Sequence, residues 1–392
     1  MSRPTLEVAD IFRIAGARFL DRNQSHVSWP QLKVMRAIER CRTAALGGHH
    51  DQCTRCDRDL GLSYNSCRNR HCPKCQTHVR NRWLAARTAD LVPVPYFHVV
   101  FTVPHELSAL MLQNKRTLYS LLFRASADAL LEMAANPARL GAEIGFFGVL
   151  HTWGQTLEHH AHVHYVVPAG GFSPGRTSWV RGNPKFFLPV EALSQVFRGK
   201  FVEALRTLFR RGKLVFAGAL KLLDNARSFS RFLHLLHTRD WVVYAKKPFG
   251  GPEHVLHYLG RYTHRVAISN HRLLSFQDGR VSFRWRDYAH GNKKRKMTLS
   301  ADEFIRRFLL HVLPRGFVRI RYFGWMANRH RTRLAALCRA WLDAQPPPPR
   351  LRDNGSGRKC PWCGGPVITI EIFTPLRLSY AIRGRPHVLN SS

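Results

Sequence analysis

His160-Ala161-His162-Val163-His164 runs into Tyr165-Val166-Val167-Pro168-Ala169-Gly170-Gly171, and this stretch decides the fold. Successive side chains of an extended strand point to opposite faces, so His160, His162 and His164 share one face. The apolar run continues the strand and the glycines break it. Neutral imidazole is a common ligand of divalent first-row metals. Up to three imidazoles at period two therefore predict a strand face that holds a metal ion. The competing reading is a solvated cluster on an edge strand, in a chain with 22 histidines.

Working outward, Tyr96-Phe97-His98-Val99-Val100-Phe101-Thr102-Val103 is a second apolar strand, rich in aromatic and β-branched residues and closed by Pro104. An apolar-periodic helix over about 107–134 passes through Leu110, Leu118, Leu121, Leu122 and Leu131, and residues 144–153 form a further strand region that leads into the histidines. This order predicts an α+β fold, a sheet layered against helices. Downstream, residues 172–189 read as a loop with a short hairpin, 190–211 and 228–236 as helices, and 241–245 as a strand. A helix starting near Pro252 carries Tyr258-Leu259-Gly260-Arg261-Tyr262, whose i, i+4 spacing stacks two phenols on one face. Such a pair is ordinarily packing. Here His257, Gly260, Arg261 and His264 make the segment too polar for a buried face. Short antiparallel strands follow at 266–269, 273–276 and 281–285, with Asp278-Gly279 as a turn. Asn292-Lys293-Lys294-Arg295-Lys296 reads as a basic loop suited to phosphates, Ser300 to Glu303 as a capping box, and 317–323 as a strand.

Lys and Arg number 61 against 25 Asp and Glu, a formal net charge of +36. The basic residues lie within segments of regular apolar pattern, so a folded protein that binds a polyanion is expected, with nucleic acid ahead of an anionic membrane. No stretch approaches the roughly 18 apolar residues of a membrane span, and the first residues show no signal-peptide pattern. A cytoplasmic protein is expected. Nine cysteines then argue for metal rather than disulfides. Cys53-Thr54-Arg55-Cys56 and Cys72-Pro73-Lys74-Cys75, with 15 residues between them, are two hooks whose spacing predicts one tetrahedral structural Zn²⁺. Cys41, His49, His50, Cys67 and His71 are spare ligands nearby, and Arg68, Arg70 and, in the next helix, Arg80 suit a nucleic-acid clamp. Residues 345–357 form a Pro- and Gly-rich linker. Beyond it, Cys360-Pro361-Trp362-Cys363 is half a zinc knuckle for which a complete second site is not expected. The expected divisions are a helical and zinc-binding DNA-recognition domain over 1–90, a catalytic domain over 91–330, and a linker with a half-knuckle tail over 331–392.

Taken in order, Cys53 to Cys75 with Asn69-Arg70-His71-Cys72-Pro73-Lys74-Cys75, Phe101-Thr102-Val103-Pro104-His105, the histidine strand, and Tyr258-Leu259-Gly260-Arg261-Tyr262-Thr263-His264-Arg265 resemble one family over nearly the whole chain. It is the two-tyrosine rolling-circle transposases of bacterial insertion sequences, the type called ninety-one, within the HUH single-strand endonuclease superfamily. The resemblance implies an HUH core of antiparallel sheet with flanking helices and a basic C-terminal region. It implies that His162 and His164 hold a catalytic Mg²⁺ or Mn²⁺, with a third ligand that His160 is placed to supply; Gln155 and Glu158 are alternatives. It implies Tyr258 and Tyr262 as nucleophiles that leave a 5′-phosphotyrosine and a free 3′-OH. The partners would be single-stranded element ends and target DNA, bound through Arg68, Arg70, Arg80, Arg261, Lys293, Lys294, Arg295 and Lys296. A bacterial, nucleoid-associated protein is then expected. A plasmid-type replication initiator or relaxase shares this core, and a non-catalytic zinc-dependent DNA-binding protein is the reading from a different class.

Overall fold

The histidine strand is central, not an edge. It forms β5 (His159–Pro168), which lies between β4 (Gly145–Trp153) and β3 (Tyr96–Thr102). With β12 (Ile320–Gly324) beyond β4 and β8 (Val243–Lys246) beyond β3, the five strands form one sheet in which every neighbouring pair is antiparallel. The structure, a computed structural model, describes residues 4–75, 81, 83–84, 91–183, 185, 187–246, 260, 266–288, 290–342 and 358–375.

Alternation gives this sheet two different faces. Phe97, Val99 and Phe101 of β3, Phe146 and Leu150 of β4, and Val163, Tyr165 and Val167 of β5 are buried in one core. The core is closed by α3 (Ser108–Gln113), α4 (Lys115–Ala135), α5 (Val190–Arg210) and α6 (Ala226–Thr238). Each large apolar side chain so buried contributes roughly 1.5–3 kcal/mol by leaving water. The helix expected over 107–134 divides at Asn114, whose side chain donates to the Leu110 and Val215 carbonyls and accepts from Val215 N–H. Gly148 faces Tyr165 across β4 and β5, and any Cβ at Gly148 would collide with the Tyr165 ring. That ring ends in a hydroxyl tied to Ser126 Oγ at 2.7 Å and to the Phe123 carbonyl at 3.2 Å. The strand that bears His162 and His164 is thus fixed from its opposite face.

A second core joins distant parts of the chain. α1 (Val8–Asn23) and α2 (Trp29–Arg40) pack on α7 (Ala301–Leu310) and on a sheet of β9 (Leu273–Gln277), β10 (Arg280–Asp287) and β11 (Lys293–Ser300). Phe12 meets Phe308 edge-on at 5.3 Å, and Asn270 Oδ1 accepts from Val8 N–H at 3.2 Å. Ser300 caps α7 by accepting from Glu303 N–H, as its capping box predicts. A third, small sheet has the order β13-β1-β2, made of β1 (Gly48–Cys53), β2 (Asp59–Tyr64) and β13 (Val367–Phe373). The segment read as a tail therefore supplies a strand to the N-terminal module. A core consequently crosses position 90, and strand pairing crosses position 330, the two positions at which division was expected. The basic stretch expected as a loop at 292–296 is strand from Lys293, because it pairs residue for residue with Arg280–Asp287. Residues 266–269, expected as a strand, are irregular.

Candidate active site

His162 and His164 lie two residues apart on the face of β5 away from the α4–α6 core, and β4 places His151 directly opposite His162. One nitrogen from each of His151, His162 and His164 falls within 4.8 Å of the other two. Ring centroids are 4.2 Å apart for His151–His164, 5.3 Å for His151–His162 and 4.8 Å for His162–His164. His160 is not in this cluster; it stays exposed at the start of the strand, with its ring 5.2 Å from His162. The structure thus gathers His151, and not His160, with His162 and His164. A strand advances about 3.3 Å per residue, so positions four apart stand some 13 Å apart, whereas a neighbouring strand is about 4.8 Å away. Two ligands for one ion can come from adjacent same-face positions on a strand, and a residue directly across the ladder stands nearer to both than a further position on the same strand.

Hydrogen bonds orient the ligands. His162 Nδ1 lies 2.8 Å from the His160 carbonyl and donates to it, which leaves the Nε2 lone pair facing outward. His164 Nδ1 lies 2.8 Å from Nε2 of His98, and the two rings stack within 4° of parallel. For His164 Nε2 to carry a lone pair, Nδ1 must hold the proton and donate it to His98, so His98 fixes the tautomer of a candidate ligand. Burial, then the neighbouring His160, pushes His162 down to about 3, and burial holds His164 well below its ordinary value. His98 falls to about 4 through burial and the charge of Lys246. All three are neutral at pH 7, the form that binds metal. Three convergent imidazoles, two of them with fixed tautomers, fit a divalent ion. Trp153, two residues beyond His151, stacks on it at 4.6 Å.

Tyr258, Tyr262 and Arg261 lie outside the described residues, as does Arg80. Gly260, between the tyrosines, is described and buried, and it is held so close to Leu84 that a Cβ would stand 2.6 Å from that side chain. Trp83, next to Leu84, packs edge-on against Phe147 at 5.6 Å. Phe147 shares its face of β4 with His151. Gly260 is thereby joined by packing to the sheet face that carries the histidines.

The two cysteine hooks do not share a site. Cys72 and Cys75 gather with Cys41 and Cys67, while Cys53 and Cys56 gather with Cys360 and Cys363. The hairpin β1–β2 is the reason. Cys53 and Cys56 sit at its turn, and Cys41 and Cys67 flank its open end. Six residues of strand at about 3.3 Å each keep the ends roughly 20 Å apart. In the first cluster Cys41 and Cys67 Sγ lie 3.5 and 3.6 Å from Cys75 Sγ. Thiolates about 2.3 Å from a zinc ion stand about 3.8 Å apart in a tetrahedron, so these four residues fit one. His71 is buried among other partners: Asn69 Oδ1 at 3.0 Å, and Leu313 N–H, which donates to its Nε2 at 3.2 Å. It docks the zinc module on the strand-bearing body and ligates nothing.

The basic candidates divide in the same way. Arg68 is exposed, but Arg70 donates to the Phe317 and Pro314 carbonyls at 2.6 and 2.9 Å and is a docking residue. Arg295 pairs with the buried Asp287 at 2.8 Å. Lys294 and Lys296 stand opposite Arg286 and Arg284 on the exposed face of the hairpin β10–β11, while Lys293 takes the other parity. Like charges directly opposite each other destabilise a ladder, which suits a surface completed by a polyanion. Arg284 and Arg286 were not singled out from the sequence, although their period-two spacing within an expected strand was the available signal. The β4–β5 turn touches this hairpin: Gln155 donates to Tyr288 Oη at 3.4 Å, and its carbonyl accepts from Arg272. The hairpin therefore meets the turn that joins the two histidine-bearing strands.

Comparison with known proteins gives two family models. One, “Transposase zinc-binding domain”, matches residues 11–103. The other, “Putative transposase”, matches residues 145–333 and so spans β4, β5 and the basic hairpin. Cys360 and Cys363 lie beyond both spans. The chain is 53% identical over 387 residues to “Putative transposase y4qJ” of Sinorhizobium fredii, covering 95% of this chain and 97% of that protein. It is 30% identical over 295 residues to “Transposase for insertion sequence element IS801” of Pseudomonas savastanoi pv. phaseolicola, covering 74% of this chain and 68% of that one. No solved structure matches the chain. Among the described residues, no helix is long and apolar enough to cross a membrane.

Proposed function

The chain belongs to the insertion-sequence transposases of the ninety-one type, and from that premise we propose that it cuts and rejoins single-stranded DNA at its element's ends through 5′-phosphotyrosine intermediates. The observation that carries this reading is the trio His151, His162 and His164, gathered on the sheet face to which Gly260 of the Tyr258–Tyr262 segment is joined. Mg²⁺ or Mn²⁺ held by the trio would supply Lewis acidity toward the scissile phosphodiester. The phenol oxygen of one tyrosine attacks phosphorus, the bond to O3′ breaks, and the phenolic proton is balanced by the one the 3′-oxygen gains. The products are a 5′-phosphotyrosine and a 3′-OH. Rejoining reverses these steps with the 3′-OH of another strand, so the phosphoester bond is conserved and no nucleotide cofactor is required. A phenol with a pKa near 10 is a weak nucleophile at neutral pH, and the surrounding cations favour the charged species. Two tyrosines four residues apart in the sequence would allow a second strand to be cut while the first stays attached, which is what rolling-circle transposition of a single strand needs.

The direct test is incubation of the full chain with Mn²⁺ and a 3′-labelled single strand bearing the element end, because the part of the strand 3′ to the cut is the part left on the tyrosine. A covalent adduct that survives denaturation is expected; the same mixture without adduct refutes the reading. The basic hairpin makes a separate expectation. Arg284→Glu with Lys296→Glu should weaken single-strand binding roughly tenfold at 0.1 M salt and lower the slope of log affinity against log salt by about 0.7 per lost phosphate contact. Fluorescence anisotropy over a salt series reads both. An unchanged slope would remove the hairpin from the DNA path.

A further inference from the structure

Cys53, Cys56, Cys360 and Cys363 converge although the two pairs are separated by about 300 residues of chain, and each Sγ is within 4.8 Å of the other three. Cys53 Sγ lies 3.5 Å from Cys363 Sγ, and Cys56 Sγ 3.9 Å from Cys360 Sγ. These separations bracket the edge of a tetrahedron with metal–sulfur bonds of about 2.3 Å and are far beyond a disulfide of about 2.05 Å. Both hooks have the backbone geometry of metal knuckles: Arg55 N–H points to Cys53 Sγ and Gly365 N–H to Cys363 Sγ, each at 3.4 Å and each two residues after its cysteine. Such N–H groups stabilise thiolate over thiol. The chain leaves no room for a side chain at Gly365, where a Cβ would stand 2.5 Å from Arg55 Cβ.

The ligands are set by a built junction. Thr54 N–H donates to the Pro366 carbonyl at 3.0 Å, and the Arg55 guanidinium to the Cys363 carbonyl at 3.5 Å. Arg58 stacks over Trp362 at 4.7 Å. β13 then pairs with β1 along its length, from Cys53 opposite Val367 to Gly48 opposite Phe373. At the middle of that ladder Asp51 accepts from Arg358 and from Thr369.

We propose that Cys53, Cys56, Cys360 and Cys363 bind a second structural zinc ion, distinct from the one suited to Cys41, Cys67, Cys72 and Cys75, and that this ion clasps the C-terminal segment to the N-terminal module. The three-stranded sheet β13-β1-β2 is too small to bury a core of its own; β13 exposes Ile368, Ile370 and Ile372. Small modules of this kind draw their stability from metal. The clasp has a directional consequence. The hook at Cys53 and Cys56 is made early in synthesis and cannot be completed before Cys363 has been made. The N-terminal module is therefore finished last, and only in chains that reach their C-terminal segment.

Zinc content of the purified full chain tests this. The wild-type protein should hold one zinc ion per chain more than Cys360→Ser with Cys363→Ser, by mass spectrometry of the acid-released metal; counting the difference keeps any zinc at the histidine trio out of the comparison. Equal zinc content in the two proteins overturns the proposal. A measurement on the wild-type cysteine set guards against a variant that does not fold. With a protease recognition sequence inserted between Pro349 and Arg350, the cleaved C-terminal fragment should co-elute with the remainder and separate once a chelator strips the metal. A fragment that stays bound after both zinc ions are gone shows that the ion is no clasp.

Discussion

Tyr258→Phe combined with Tyr262→Phe is expected to lower covalent adduct formation by at least three orders of magnitude, the scale on which losing an enzyme's nucleophile falls, roughly 10³-fold or more. The substitution removes two hydroxyl groups and leaves both rings, so single-strand affinity and divalent-metal binding should change less than twofold. Each single variant should behave differently from the double. One tyrosine suffices to cut one strand, so Tyr258→Phe and Tyr262→Phe alone should each still form an adduct. Strand transfer, which needs a second cut before the first is resealed, should be lost in both. Denaturing gels with the labelled element end read the adduct, and a two-oligonucleotide joining assay reads the transfer. Full adduct formation by the double variant would mean that another residue is the nucleophile.

Legibility in the sequence followed the range of the interaction. The β-branched and aromatic run of β3, and in β5 the period-two histidines that lead into an apolar stretch, were visible locally, because one face of each strand packs on α4–α6 while the other bears His98, His162 and His164. The capping box at Ser300 and the amphipathic α5 and α6 were legible for the same local reason. Register is not local. Nothing in the spacing of residues 144–164 states that His151 stands opposite His162, since the bulge between His151 and Trp153 shifts the pairing. A histidine in an apolar strand that immediately precedes the histidine strand was a usable hint all the same. The cysteines failed to read correctly for a topological reason. Fifteen residues between hooks suit one ion, but here they include the far strand of a hairpin, which sends one hook to the other end of the module. The partner of that hook comes from the last described segment of the chain, and no local pattern links Cys53 to Cys363. The docking roles of Arg70 and His71 were hidden likewise, because Phe317 and Leu313, more than two hundred residues on, supply their partners.

His151→Ala and His160→Ala separate the ligand set that the ladder builds from the one that strand alternation alone suggested. His151→Ala should reduce Mn²⁺ affinity at least tenfold and adduct formation about 10²- to 10³-fold, because removing a ligand costs more than the roughly 10- to 100-fold typical of outer-shell partners. Part of the adduct should return at high Mn²⁺, since the remaining pair, His162 and His164, keeps its orientation through the His160 carbonyl and His98. His160→Ala leaves that carbonyl in place, because the acceptor is backbone, and the exposed imidazole it removes lies outside the trio. Metal affinity and adduct formation should then stay within about threefold of wild type, on the scale of an ordinary surface substitution. Calorimetric titration with Mn²⁺ and the adduct gel measure the two quantities independently, and a denaturant midpoint for each variant checks that the buried position at 151 has not simply unfolded the sheet. Equal losses from the two substitutions would return His160 to the metal; a loss from His160→Ala alone would dissolve the trio across β4 and β5.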